Sequence, residues 1–386
     1  MIHDPGKSDT LLGWRAYLSG GSDLGRLLTL LLPPDRQERT GCQIHILQKP
    51  SWVKLACERG LGAAFYVFLR QGGQWSCLPA NSQRLLEEVY RRNLTRSMVR
   101  DNVLAEILGL LKPLGQLPVL LKGIAFANEL YPEPAAREVG DIDLMMPCEL
   151  KQEVDRRLQQ AGYKLLTHGV SQPPGRVKAL LQRLRTKSLK RSVPTTSDGT
   201  DGEGETVFLT RRAGYDILLE IHYHLINLRA GGGKEEVFRS RTELPLQTRP
   251  MRLPEGDVLV LAPASALLHA LRHLALHHRF IGFRWHHDIA LMLIRWETVL
   301  EPGFILAQCR ALNSEKILRV ELAILREMFG SGILAEEKRR AWEFGALPWE
   351  YPLYRHLAKG GKRTPWRELA RTLVAPGLRQ QLRTLT

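Results

Sequence analysis

A paired cysteine pattern, a long apolar run and an internal repeat are all missing from this sequence, and each absence narrows the reading. Its five cysteines, at positions 42, 57, 77, 148 and 309, show no paired or C-x-x-C spacing, which excludes a disulfide framework and points to a reducing compartment. No apolar run approaches the roughly 18 residues that a spanning helix needs, and Leu27–Leu32 stops at Pro33-Pro34. The opening Met1-Ile-His-Asp-Pro-Gly lacks the basic and then apolar stretches of a secretory leader. A soluble, cytoplasmic protein with no membrane span is the expectation. There is no repeat at fixed period, which excludes a solenoid, and no H-E-x-x-H, which removes one common zinc design.

Acidic residues are also scarce, 40 against 55 Lys and Arg, for a net charge of +15. The excess is concentrated. Residues 176–191 hold seven Lys or Arg and no acid, and residues 355–383 hold eight against Glu368, so each segment carries +7 and the rest of the chain +1. Such segments can dock an acidic or nucleic-acid partner and steer nucleotides. The first lacks aromatic residues for base stacking, and Leu180, Leu181, Leu184 and Leu189 give it the pattern of an amphipathic helix. A solvated basic face, a partner surface and a membrane-surface patch stay open.

What is present is an acid pair in an apolar setting. Residues 116–147 run through an apolar stretch into Lys122-Gly123, a short helical segment, and then Asp141-Ile-Asp143 inside a second apolar run. Two carboxylates two residues apart in a strand share one face, roughly 7 Å from each other. Half-buried, they repel and lose hydration, so a cation belongs between them, and hard Mg²⁺ (or Mn²⁺) suits carboxylate and phosphate oxygens. Two such ions would clamp the attacking and leaving oxygens of a phosphoryl or nucleotidyl transfer. A third acid is expected, and Glu220 fits: in the β-rich run from Tyr215 to Leu225 it shares a face with Leu218 and His222. Thr206–Arg212, followed by Ala213-Gly214, reads as the other arm of a hairpin that brings Glu220 beside the acid pair. Gly123, between a strand over 118–121 and a helix over 124–130, lets backbone approach a phosphate, and Lys122 and Arg137 are the nearest cations for a triphosphate.

Leu121-Lys-Gly-Ile-Ala-Phe-Ala127, Tyr131-Pro-Glu-Pro134 with Arg137, Gly140-Asp-Ile-Asp-Leu144 and Glu220-Ile-His-Tyr223 together resemble the uncharacterised bacterial nucleotidyltransferase family, a branch of the polymerase-beta-like nucleotidyltransferase superfamily. The resemblance extends to a helical N-terminal part and to a His-rich stretch over Leu267–Asp288 that includes Arg284-Trp285 and Asp288. It implies Asp141, Asp143 and Glu220 as metal ligands and catalytic acids, Gly123 as the nucleotide-loop glycine, and a nucleoside triphosphate as substrate, with ATP the first candidate. The acceptor, a small molecule, a peptide or an RNA end, stays open. Two departures stand out: Ile124 occupies the place of the superfamily's phosphate-contacting serine, and Tyr223 that of a family tryptophan. The first keeps a second reading alive, a catalytically weak, antitoxin-like or scaffold protein that binds nucleotide, RNA or a protein partner. An RNA-binding protein working through the basic segments is a third.

His269, His273 and His277 recur on one helical face. Three ligands from one straight helix do not readily surround a tetrahedral ion, so metal binding stands beside cleft-lining and structural readings. His222, His273, Arg284 and Asp288 are candidates for a substrate cleft, with Arg284 and Asp288 able to pair with each other. His222 is placed to bond a carboxylate or substrate, and His224 is read as structural. The expected class is α+β, a small mixed β-sheet flanked by helices. Residues 1–112 are read as a helical N-terminal region, 113–228 as the nucleotidyltransferase core with a mobile polar loop over 194–205, and 229–386, after Gly231-Gly-Gly233, as a helical C-terminal region.

Overall fold

Ile142 and Leu144 alternate with Asp141 and Asp143, and Ile217, Leu219 and Ile221 alternate with Leu218, Glu220 and His222. A strand with that period presents one apolar and one polar face, and burying the apolar face is what fixes register. In the computed structural model, which describes residues 28–33, 36, 47–166, 205–223, 247–276, 278, 280, 282–312, 314–329 and 333, Ile142, Leu144, Leu219 and Ile221 are fully buried in one core with Val154 and Leu158.

The strands are β1 (Val119–Leu120), β2 (Asp141–Met145), β3 (Lys164–Leu165), β4 (Glu205–Arg212), β5 (Tyr215–His222), β6 (Thr248–Leu253) and β7 (Gly256–Leu261). They form a mixed sheet in the order β3-β4-β5-β2-β1-β7-β6. The expected hairpin is present: β4 and β5 pair antiparallel through a two-residue turn in which Ala213 and Gly214 both have positive φ, 48° and 81°, the geometry whose twist matches the flanking strands. β2 pairs in parallel with β5 and antiparallel with β1, and β1 pairs in parallel with β7.

Nine helices are described: α1 (Pro50–Glu58), α2 (Gly62–Gln71), α3 (Ala80–Leu111), α4 (Lys122–Leu130), α5 (Lys151–Gln160), α6 (Pro263–Leu276), α7 (Phe283–Arg295), α8 (Pro302–Ala311) and α9 (Glu315–Phe329). None is long and apolar enough to cross a membrane. Leucines 28 and 30–32, the α2 and α3 faces, the sheet and α6–α9 share one continuous core.

The reading of the region after residue 228 as helical needs correction. Its described residues from Pro263 to Phe329 are mainly helical, but residues 248–261 form the β6–β7 hairpin, which completes the sheet on the far side of β1. The basic segments 176–191 and 355–383, loop residues 194–204, Gly231–Gly233, His224 and His277 lie outside the described residues.

Candidate active site

Parallel pairing of β2 with β5 sets Asp141 opposite Leu218, Asp143 opposite Glu220 and Met145 opposite His222. Partners in a parallel ladder point to the same face. Asp141, Asp143, Glu220 and His222 therefore gather on one side of the sheet, with the apolar residues between them facing the core. Asp143, Glu220 and His222 each offer a ligand atom, and these atoms lie within 4.8 Å of one another. Asp141 sits outside that tight set, nearer the strand start. His222 Nε2 is 2.9 Å from Asp143 Oδ1 and 3.8 Å from Glu220 Oε2, with its Nδ1 3.9 Å from Glu205. A carboxylate only accepts, so Nε2 carries the proton toward Asp143.

Lys122 closes the cluster from the other neighbour of β2. The backbone N–H of Leu121 donates to the Asp143 carbonyl at 2.9 Å, which puts the strand-to-helix turn alongside Asp143. Lys122 turns there with φ 44°, the left-handed region, and its Nζ lies 2.6 Å from Asp143 Oδ1, both side chains being less than 10% exposed. Gly123 follows because nothing larger fits: a Cβ there would lie 2.7 Å from Val139 Cγ1 and 3.5 Å from an Arg137 guanidinium nitrogen. Ile124 is buried in the core, so the position of the absent serine is filled by packing.

Burial alone would pull the Lys122 ammonium down, but Asp143, with Glu220 and Asp141 behind it, outweighs that and holds it above the ordinary lysine range. Burial pushes Asp143 up, and Lys122 and His222 more than reverse this, leaving it below the ordinary carboxylate range. Asp141 and Glu220 go the other way: burial and then the charge of Asp143 raise both, Glu220 strongly. The face thus holds one carboxylate kept ionised by Lys122 and His222 beside two whose proton affinity is raised by burial and by its charge.

The segment leading into β2 is held by side chains. Asn93 Nδ2 donates to the carbonyls of Ala135 (2.7 Å) and Arg137 (3.2 Å), Arg284 to that of Glu138 (2.7 Å), and Arg100 to that of Val139 (3.3 Å). Arg137 makes a bidentate pair with Asp288, 2.8 and 2.6 Å, with both side chains buried. Of the two readings for Arg284 and Asp288, the mutual pair is not formed: Asp288 takes the Arg137 fork, and Arg284 binds the Glu138 carbonyl. Tyr131 donates to Asp288 at 2.8 Å, and its oxygen is 3.1 Å from His287 Nδ1, while His287 Nε2 reaches the Leu31 carbonyl at 2.9 Å. Trp285 lies under both the Arg137 and Arg284 guanidinium groups, 5.5 and 5.2 Å from its ring, and stacks on His278, whose Nε2 is 3.0 Å from that of His273. His273 thus belongs to the α6–α7 junction. Asn93 and Arg100 were not singled out in the sequence, where they are two polar residues among many on a long helix; only their spacing with Ser97, at i, i+4 and i+7, marks one face.

No curated protein and no solved structure gives a match to the chain. A family model described as an uncharacterised nucleotidyltransferase matches residues 48–330, a span that takes in α1 to α9 and every strand of the sheet. With well over half its length matched, and with the Lys-Gly turn, the acid pair, Glu220 and the Arg137–Asp288 pair all inside the match, the chain belongs to the uncharacterised nucleotidyltransferase family.

Proposed function

We propose that this chain transfers a nucleoside monophosphate from a nucleoside triphosphate, ATP being the first candidate, to a hydroxyl acceptor on a small molecule, a peptide or an RNA end. The single observation that carries the reading is the register of β2 against β5, which sets Asp143 beside Glu220, with Asp141 on the same face. Three carboxylates on one face, two of them favouring their protons for want of a counter-charge, make a hard oxygen donor set that fits Mg²⁺ or Mn²⁺. Asp141, Asp143 and Glu220 would hold the ion, which when bound supplies Lewis-acid stabilisation of charge on the phosphate oxygens.

The remaining chemistry falls to the chain. Glu220, deprotonated once the ion is held, stands on the acid face to take the proton from the acceptor hydroxyl. The acceptor oxygen forms its bond to the α-phosphorus as the bond to the pyrophosphate oxygen breaks, and pyrophosphate leaves with that electron pair. His222 keeps Asp143 oriented and ionised. Gly123 allows the turn to pack tightly, and Arg137, expected to face a triphosphate, is instead buried beside it with its charge neutralised by Asp288.

The test is calorimetric titration with ATP, GTP, CTP and UTP, Mg²⁺ present or chelated, comparing wild type with Asp141→Asn/Asp143→Asn. Magnesium-dependent binding that the double variant loses is the expected result. Failure of any nucleotide to bind a folded wild-type protein would sink the transferase reading and favour the scaffold one, to which the buried Ile124 already lends weight.

A further inference from the structure

Lys122 was expected to greet a triphosphate, yet its ammonium is turned into the acid cluster. Its Nζ rests 2.6 Å from Asp143 Oδ1, the same oxygen that His222 Nε2 approaches at 2.9 Å, so two nitrogen donors already converge on that atom. The backbone is distorted to achieve this. A non-glycine residue in the left-handed region is strained and persists where the surroundings demand it, and Lys122 has φ 44° while a glycine, which would take that conformation freely, stands one position later. Burial makes the placement decisive: with Lys122 only 8% exposed and Asp143 3%, neither charge is exchanged cheaply for water.

We propose that the Lys122 ammonium is a resident cation that takes the place of one of the two metal ions expected at an acid triad, making this a one-metal centre. The inference rests on the nucleotidyltransferase reading and refines it. Three carboxylates facing one divalent ion and one ammonium balance in charge. In the nucleotide-free protein a second divalent ion would leave a surplus of two positive charges beside Arg100 and Arg284, which lie around the Asp141 end together with Arg137 and its partner Asp288; charge left uncompensated away from water is costly. Lys122 and His222 both lie on Asp143 Oδ1, so an ion bound to that oxygen would have to displace Lys122 and break its contact.

The experiment is a Mn²⁺ titration of the full chain followed by the electron paramagnetic resonance signal of free Mn²⁺, with and without a non-hydrolysable nucleoside triphosphate, on wild type, Lys122→Gln and Lys122→Met. One Mn²⁺ per wild-type chain under both conditions is expected, rising to two in either variant. Two ions per wild-type chain would overturn the proposal whatever the variants do, including if they fail to fold. A folded variant that still binds one ion, with unchanged or weaker affinity, would overturn it as well. If wild type binds neither Mn²⁺ nor nucleotide, the nucleotidyltransferase reading itself falls and the one-metal centre with it, a failure seen in wild type and so distinct from the other two.

Discussion

Asp143 and Glu220 face each other in register, yet their side chains do opposite things to the fold. Asp143 neutralises the buried Lys122, so Asp143→Asn leaves an unpaired ammonium and should cost about 3–5 kcal/mol of stability. Glu220 is instead held against the repulsion of Asp143 and Asp141, so Glu220→Gln should stabilise the metal-free protein by about 1 kcal/mol while weakening divalent-ion affinity at least tenfold. Urea unfolding in EDTA at pH 7 separates the two outcomes, and loss of stability in Glu220→Gln would contradict the repulsive cluster. The pH dependence follows from the same directions. Glu220 binds its proton more tightly folded than unfolded, so its contribution is present at low pH and is lost as pH rises above the ordinary glutamate range. Asp143, depressed in the folded state, contributes above the ordinary aspartate range and loses that contribution as pH falls. Saturating Mg²⁺ should abolish the alkaline loss, because the ion supplies the charge that the proton otherwise provides. These acids were legible in the sequence because polar residues at period 2 among Ile and Leu admit few explanations. The direction of Lys122 was not legible, since nothing in L-K-G reveals a left-handed backbone at the lysine.

The elements show why the acids sit still. The chain before β2 runs from Pro134 to Gly140 outside the ladder, and its carbonyls are taken by Asn93 and Arg100 from α3 and Arg284 from α7. Arg100 is buried enough that loss of hydration lowers it to about 10, so it is an expensive residue kept where its donors meet Val139 and Ser97. The Arg137–Asp288 pair ties the same segment to α7. Asp288→Ala should therefore destabilise by about 3–5 kcal/mol, because a buried guanidinium loses its partner, whereas Arg137→Met/Asp288→Leu should recover most of that loss. A double-mutant cycle by urea unfolding measures the difference, and equal losses in single and double variants would show that the pair itself is not what Asp288 supplies. The β4–β5 hairpin was readable from Ala213-Gly214 between alternating strands, as were α6 and α7 from their apolar spacing. The β6–β7 hairpin was passed over although Gly256-Asp-Val-Leu-Val-Leu261 is a strand-like run, because a two-residue Pro254-Glu255 turn carries none of the Asn-Gly or Asp-Gly signal of a tight hairpin. Contacts such as Asn93 to Ala135 or Arg137 to Asp288 span 42 and 151 residues, and no local pattern encodes a partner at that distance.

At the scale of the whole molecule, the three regions anticipated along the chain converge on His287. Its Nε2 meets the Leu31 carbonyl, its Nδ1 faces Tyr131 of the segment after α4, and its ring lies against Phe68 of α2 and Phe329 of α9. Burial, only partly offset by the Leu31 bond, lowers it from 6.5 to about 4. The unfolded chain therefore takes up this proton first as pH falls: the contribution is whole above the ordinary histidine range and erodes toward pH 4, by roughly 3 kcal/mol at most. His287→Gln should flatten the urea midpoint between pH 7 and 4, and an unchanged slope would assign the acid sensitivity elsewhere. The same convergence bears on whether residues 113–228 can stand alone. That fragment would expose the β1 edge that β7 covers, strip Asn93, Arg100 and Arg284 from the segment before β2, and leave Arg137 buried without Asp288. These losses fall on β1 and on the segment that leads into the acid-pair strand, and a typical domain is stable by only about 5–15 kcal/mol. Residues 113–228 expressed alone should give collapsed amide proton dispersion and no cooperative urea transition, whereas the full chain should show both; a cooperatively folding 113–228 fragment would mean that the helices on either side decorate the sheet instead of completing it.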